Sequence, residues 1–297
     1  MRRELNQSFA ARATAIPVVL LLWGASASMF AQGTVTLPAY KAGRTPAGQP
    51  DLSGIWQAIT SANWDIEEHG TAPSPYPALV GVYLAQPAGL SIVEGGTIPY
   101  KPEALAKRDA FRENRLKTDP YKLGNPPPEE DLADPEAKCF QGGVPRATYM
   151  PFPFQIVQSP QTILIAHEYA GSPRIVYMNT TRKEAILEMD TWMGQSVGRW
   201  EGDTLVVETK GFSGPSIWLD RAGNFYTLGA TITERFTAAS PYHLMYEATI
   251  DDPTVFTRPW KISLPLYRRL DKNVQILEFQ CIPYAEEFMY GSLYRKK

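Results

Sequence analysis

The sequence predicts an all-β fold, an antiparallel meander of strands closed into a barrel. Three observations carry this. Short runs in which apolar and polar residues alternate recur from Phe154 onward. Gly, Pro, Asn and Asp punctuate those runs, as turns between strands require. Aromatic residues make up 11% of the chain and prolines number 26, a composition that favours strands and structured loops over long helices.

The N-terminus comes first in chain order. Met1-Arg2-Arg3 opens it, and Arg12 adds a further charge. An apolar core runs from Ala15 to Trp23, and small residues follow it, with Ala25-Ser26-Ala27 and Ala31 as cleavage candidates. This is the layout of a secretory signal peptide over 1–31, so the mature chain is expected to be periplasmic or secreted. The apolar core is shorter than the roughly 20 residues a membrane helix needs, so no stable span is expected after cleavage. Arg2-Arg3 also fits the twin-arginine route, and no cysteine at the cleavage point calls for a lipid anchor. Removing the signal leaves about 265 residues, enough for one large domain or two modest ones.

Residues 32–138 read as an N-terminal extension, and 139–297 as the main barrel region. The stretch 32–50 is polar and rich in Gly and Pro, an extended lead-in. Asp51-Leu52-Ser53-Gly54-Ile55-Trp56 enters a first strand from a turn, and that strand is expected to join the barrel. Residues 65–100 show no clear period and read as irregular. The best helix of the mature chain is 102–117: Pro102 suits its first turn and Glu103 the positive end of its dipole. Its apolar positions are few, which places it on the surface, with long loops around it. The stretch 118–138 is acidic and proline-rich, and Pro126-Pro127-Pro128 exclude helix and central strand there.

The strand series begins with 154–158, broken by Ser159-Pro160, and continues with 162–169. Gly171-Ser172-Pro173 turn the chain into 174–178. Gly198-Arg199-Trp200 and the run 204–209 flank Glu201-Gly202-Asp203, a hairpin signal. Further runs lie at 231–237, 242–250, 258–267 and 274–281. Leu244, Tyr246, Ala248 and Ile250 alternate with His243, Met245, Glu247 and Thr249, the period of a strand with two different faces. Eight or more such strands close into a barrel or fold into a sandwich, because open edges invite aggregation.

Charge and motifs narrow the function classes. Basic residues number 29 and acidic residues 31, for a net charge of −2, which gives no electrostatic reason to expect nucleic acid. No P-loop, G-x-G-x-x-G fingerprint or G-x-S-x-G elbow occurs. His69, His167 and His243 form no H-x-H or H-x-x-x-H spacing, so no metal site and no cofactor are expected. Cys139 and Cys281 either pair in an oxidising compartment or remain two buried thiols. Pairing would close a loop of about 140 residues and tie the start of the β region to its last strand.

Several residues stand out as ligand-binding candidates. His167 sits in an otherwise apolar run, beside Glu168 but pointing to the opposite face. Glu201 and Asp203 flank a turn glycine, where paired carboxylates act as acid and base, bind a hard cation or are simply solvated. Arg199 and Arg258 adjoin Trp200 and Trp260. Such guanidinium groups stack on the rings, pair with carboxylates or fork onto an anionic ligand. Tyr246 completes the set, in the alternating run of Leu244, Tyr246, Ala248 and Ile250.

Two resemblances follow from these residues. Gly54-x-Trp56 resembles the entry signature of lipocalin-like (calycin) barrels, in which the tryptophan plugs one end under a basic side chain, here Arg268 or Arg269. The run Ser196-Val197-Gly198-Arg199-Trp200-Glu201-Gly202-Asp203-Thr204-Leu205-Val206-Val207-Glu208-Thr209 resembles the signature of a large, functionally uncharacterised family of exported bacterial proteins. So do Cys139 with Gly143-Val144-Pro145-Arg146, Pro151-Phe152-Pro153-Phe154, Asp251-Asp252-Pro253, Arg258-Pro259-Trp260, and Cys281 with Glu286-Glu287. The resemblance spans roughly 51–297. One departure is that relatives read a Gly-Asn-Phe-His-Ser-Asp-like run where this chain has Gly223-Asn224-Phe225-Tyr226-Thr227-Leu228. A catalytic or ligand role of that histidine would not carry over.

The expected function is binding of a small, largely apolar molecule in the barrel, since a barrel of about eight strands has room for one ligand. The alternatives are a calycin-type hydratase, isomerase or lyase that uses carboxylate, Arg and Tyr groups, and an assembly factor.

Overall fold

The structure, a computed structural model, describes residues 40–74, 85–115, 134–181, 189–214 and 217–283, with 285, 289 and 292. The signal segment, the end of the expected helix at 116–117, the proline run and Glu286-Glu287 lie outside these residues.

Alternation of apolar and polar residues builds the strands. These are β1 (Gly54–Ala58), β2 (Phe154–Gln158), β3 (Thr162–His167), β4 (Ser172–Met178), β5 (Gln195–Glu201) and β6 (Thr204–Lys210). A short ribbon follows, β7 (Ile217–Trp218) with β8 (Phe225–Tyr226), then β9 (Thr231–Ser240), β10 (His243–Asp251) and β11 (Trp260–Arg268). In β10, Leu244, Tyr246, Ala248 and Ile250 are buried, while Met245 on the other face is exposed. The same parity turns Trp260, Ile262, Leu264 and Leu266 of β11 inward. Among the described residues, nine strands close a barrel in the order β1-β11-β10-β9-β6-β5-β4-β3-β2.

Two features depart from a simple meander. First, β4 and β5 pair in parallel, from Val176 opposite Ser196 to Met178 opposite Gly198. A tight hairpin cannot join parallel neighbours, so β4 and β5 do not form the hairpin that a meander would place here. Second, the run 274–281, expected as a last strand, is not one. β1 closes the barrel instead: Trp56 lies opposite Arg268 of β11 on one side and Phe154 of β2 on the other. No open edge is left between them for a later strand to pair with. The Cys139–Cys281 disulfide is formed, with its Cα atoms 5.7 Å apart. It fastens this C-terminal stretch rather than a last strand. Phe279 helps, with its ring 5.2 Å from Phe152 and 4.8 Å from Tyr169.

Trp56 is buried, donates its indole N–H to the Leu52 carbonyl (2.9 Å) and carries the Arg268 guanidinium 4.2 Å above its ring. Of the two arginines considered, Arg268 therefore stacks, while Arg269 reaches Asp271 and Gln57.

Helix α1 (Pro102–Asn114) is largely solvent-facing, as expected, but it is anchored. Phe111 is buried 4.8 Å from Trp218 and 5.0 Å from Phe225. The helix can come this close because residue 223 is glycine. A Cβ there would lie 2.7 Å from the Arg108 carbonyl oxygen and 2.8 Å from the Arg112 nitrogen, and φ is +88°. Gly223→Ala is therefore expected to lower stability by about 2–3 kcal/mol, since it adds left-handed strain to a backbone collision. Urea unfolding of the two proteins measures it.

Helix α2 (Arg146–Tyr149) belongs to a clamp over one part of the barrel wall. Arg146 is buried and donates to both Asp134 oxygens (2.8 and 3.1 Å), to Glu136 Oε2 (2.6 Å) and to Asn63 Oδ1 (2.8 Å). Arg221 adds a two-pronged contact to Glu136 (2.8 Å each). Burial alone would raise the Glu136 pKa, but Arg221 and Arg146 outweigh it and hold the carboxyl down at about 2.

Candidate functional site

Strand parity sends three polar side chains into the barrel. On β4, Arg174 shares the inward face with Val176 and Met178. On β9, Glu234 lies between the inward Ile232 and Phe236. On β10, Tyr246 stands opposite Phe236, one step along from Glu234. All three are almost wholly buried.

They form one network. Arg174 Nε donates to Ser196 Oγ (2.8 Å), and Nη2 donates to Thr209 Oγ1 (2.6 Å) and to Glu234 Oε2. The Tyr246 hydroxyl donates to the other Glu234 oxygen (2.8 Å). Ser196 and Thr209, opposite each other on β5 and β6, share a hydrogen bond of 3.0 Å. Burial, reinforced by the Glu234 charge, holds the Tyr246 phenol well above its ordinary pKa, so it stays a donor. The Arg174–Glu234 pair carries no net charge. Arg174 Nη1 is buried and has no partner.

β4 and β5 are paired over only three positions, from Val176 to Met178 on β4. Ahead of Val176 a cavity of about 430 Å³ lies between them. Its lining includes Arg174 and Ser196 of the network, Tyr177, Met189 and Met193. Methionine side chains adapt to ligands of varied shape. The cavity opens to the surface: Met189 in its lining is 59% exposed, and Tyr177 stands on the face of β4 opposite to Arg174.

His167 is the next inward side chain, paired across the sheet with Ser172. It is buried, 5.5 Å from the Phe154 ring, and its Nδ1 lies 3.2 Å from the Ser172 carbonyl oxygen. A carbonyl only accepts, so Nδ1 carries the proton and Nε2, which has no partner, is a bare lone pair. Burial, then the charge of Arg174, pushes the His167 pKa down to about 4. The unfolded chain takes up this proton near pH 6.5 and the folded chain only near 4. The neutral ring's contribution to stability is thus complete above pH 6.5 and is lost as pH falls from 6.5 to 4. Against His167→Gln, the native protein is expected to lose about 3 kcal/mol more between pH 7 and pH 4. Urea titrations of both proteins across that range check it.

The other candidates lie elsewhere. Trp260 is buried inside the barrel, 5.3 Å from Phe256, and Trp200 shares the inward face of β5, half-buried against the core. Arg199 and Glu201 face outward, paired with each other at 2.6 Å, and Glu201 also meets Arg235 at 2.8 Å. Asp203 pairs with Arg44 at 2.6 Å across the surface. Arg258 is exposed and donates to the Pro259 carbonyl. The structure thus brings His167 and Tyr246 to the inner network and leaves Arg199, Glu201, Asp203 and Arg258 on the outside. Arg174 and Glu234 were not among the sequence candidates. Inward parity was the signal for both, since Ile232-x-Glu234-x-Phe236 and Arg174-x-Val176-x-Met178 each place a charge on an apolar face.

A second polar cluster, outside the barrel, joins Asp65, Asp220 and Asn224. Asp220 accepts from the Ile66 N–H (2.9 Å) and from the backbone and side chain of Asn224 (3.1 and 2.7 Å). Burial, then the Asp65 charge, raises its pKa to about 7. Its bonds all close internally, which marks it as a fastening between loops. Among the described residues, no cluster of three or more His, Cys, Asp or Glu side chains is placed to hold a metal ion, and no helix is long and apolar enough to cross a membrane. Set against known proteins, the chain matches no family model and no curated protein.

Proposed function

We propose that this is an exported protein that binds a small, largely apolar molecule in the cavity between β4 and β5. The observation that carries the proposal is that cavity: about 430 Å³, with Tyr177, Met189 and Met193 in its wall. Its volume falls within the range of small-molecule sites, roughly 300–1,000 Å³. The barrel centre does not offer the site, because Trp56, Phe154, Phe236, Tyr246 and Trp260 are packed there. The export part rests on the layout of 1–31 and agrees with a disulfide that an oxidising compartment would preserve. Kinship to the exported bacterial family, carried by the run 196–209, belongs to the same proposal.

Native mass spectrometry of protein purified from its own compartment tests this. The expected spectrum shows a small-molecule adduct that disappears on denaturation and is missing from Met193→Trp, which fills the cavity. An adduct of equal occupancy in both proteins, or none in either, overturns the proposal.

A further inference from the structure

We infer that Ser61 and His69 form a second site, independent of the β4–β5 cavity, in which the serine is a nucleophile toward carboxylic esters with an apolar acyl group. Ser61 lies just past the end of β1 and opens a turn, its carbonyl accepting from the Trp64 N–H (2.8 Å). Asn63 of the same turn is bonded to Arg146 (2.8 Å) and to the Arg221 backbone N–H (2.9 Å), which fixes the turn to the clamp. His69 is held separately, by a pair of backbone hydrogen bonds with Gly89 (3.0 and 2.9 Å). Gly89 also brings the two side chains together. A Cβ at residue 89 would lie 2.0 Å from Ser61 Oγ and 2.7 Å from His69 Nε2. Hydroxyl and imidazole therefore pack against the same bare Cα. Those two distances laid end to end cap the separation of Oγ from Nε2, so a small adjustment closes the contact. In substrate-free enzymes such contacts are often long and tighten on the substrate.

The imidazole is oriented for the work of a base. His69 Nδ1 lies 2.8 Å from the Glu67 carbonyl oxygen. A carbonyl only accepts, so Nδ1 carries the proton of the neutral ring and Nε2 presents its lone pair. Among the described residues, neither the buried Nε2 nor the Ser61 hydroxyl has a hydrogen-bond partner. Nucleophile, base and an acceptor that orients the base thus follow one another, as in activated serines generally. Ser61 Oγ attacks the ester carbonyl carbon and its proton passes to Nε2. The bond to the alcohol oxygen breaks, and the alcohol leaves with that proton. Water then attacks the acyl-serine and gives a proton to Nε2, and Oγ takes it back as the acid departs. A backbone carbonyl brings no negative charge to the imidazolium that forms, which favours esters over amides with their poorer leaving group. Ile59 and Leu90, 75% and 83% exposed, sit close to Ser61 and Gly89 in the chain and offer apolar surface to the acyl group.

Two probes on the full-length protein test this: p-nitrophenyl butyrate as substrate and diisopropyl fluorophosphate as a covalent label. The protein is expected to release p-nitrophenol over many turnovers. Peptide mass spectrometry should find one diisopropylphosphoryl group, on Ser61, and the labelled protein should be inactive. Ser61→Ala should lose both label and turnover. His69→Gln should slow both at least about 100-fold, the worth of a positioned general base. If either variant fails to fold, the position of the label on the native protein decides by itself. A label at another residue, no label, or equal labelling rates in the native protein and a folded His69→Gln overturns the inference. A labelled Ser61 in a protein that does not turn over the ester overturns the hydrolysis.

Discussion

Arg174→Met is expected to lower the unfolding free energy by about 3–5 kcal/mol, because it strands the Glu234 carboxylate inside the barrel. Glu234 is fully buried and its partners are Arg174 and the Tyr246 hydroxyl. With the guanidinium gone, one neutral donor would face a full negative charge in a medium of low polarity. Thr209 and Ser196 would also lose their donor, though they keep each other. The double variant Arg174→Met/Glu234→Gln should recover most of the loss, since its amide still accepts from Tyr246 and no charge remains. Urea unfolding of the two variants and the parent measures both steps. A double variant no more stable than the single one would show that packing around Arg174, and not the stranded charge, sets the cost.

Arg146→Met is expected to have a comparable effect, about 3–5 kcal/mol, for the same reason at a different place. Asp134 is 2% exposed and receives both of its guanidinium contacts from Arg146. Glu136 would keep Arg221 and so lose less. The consequence is local as well as global. The segment 134–139 holds Asp134, Glu136 and Cys139, so its loosening would free the loop that carries the disulfide. Amide exchange should quicken over 134–149 before it changes in β9 and β10. Uniform acceleration throughout would mean that the clamp and the barrel melt as one unit.

Much of the barrel is legible in the sequence because parity is a local property. Leu244, Tyr246, Ala248 and Ile250 alternate cleanly, and they all turn inward. Gly54-x-Trp56 marks a strand whose close fit to Arg268 depends on glycine: a Cβ at residue 54 would lie 2.1 Å from Arg268 Nη1. What sequence reasoning misses is non-local. The run 274–281 has strand-like composition, yet β1 occupies the place between β11 and β2 that it would need. The parallel step from β4 to β5 depends on where the chain returns, which no run of residues states. The site shows the same division. Arg199, Glu201 and Asp203 draw notice as charges around a turn, but parity sets Arg199 and Glu201 on the face opposite Ser196 and Gly198. Arg174 and Glu234 sit sixty residues apart in sequence, and only barrel closure brings their charges together.

The cavity between β4 and β5 is the central claim, and methyl NMR of the methionines tests it most directly. In protein labelled at the methionine methyls and titrated with 2-acetylnaphthalene, the Met189 and Met193 signals should shift together and saturate. Met245, on the outer face of β10, and Met150, buried outside the cavity lining, should stay in place. Saturable shifts at Met150 or Met245 with Met189 and Met193 unmoved would contradict the claim.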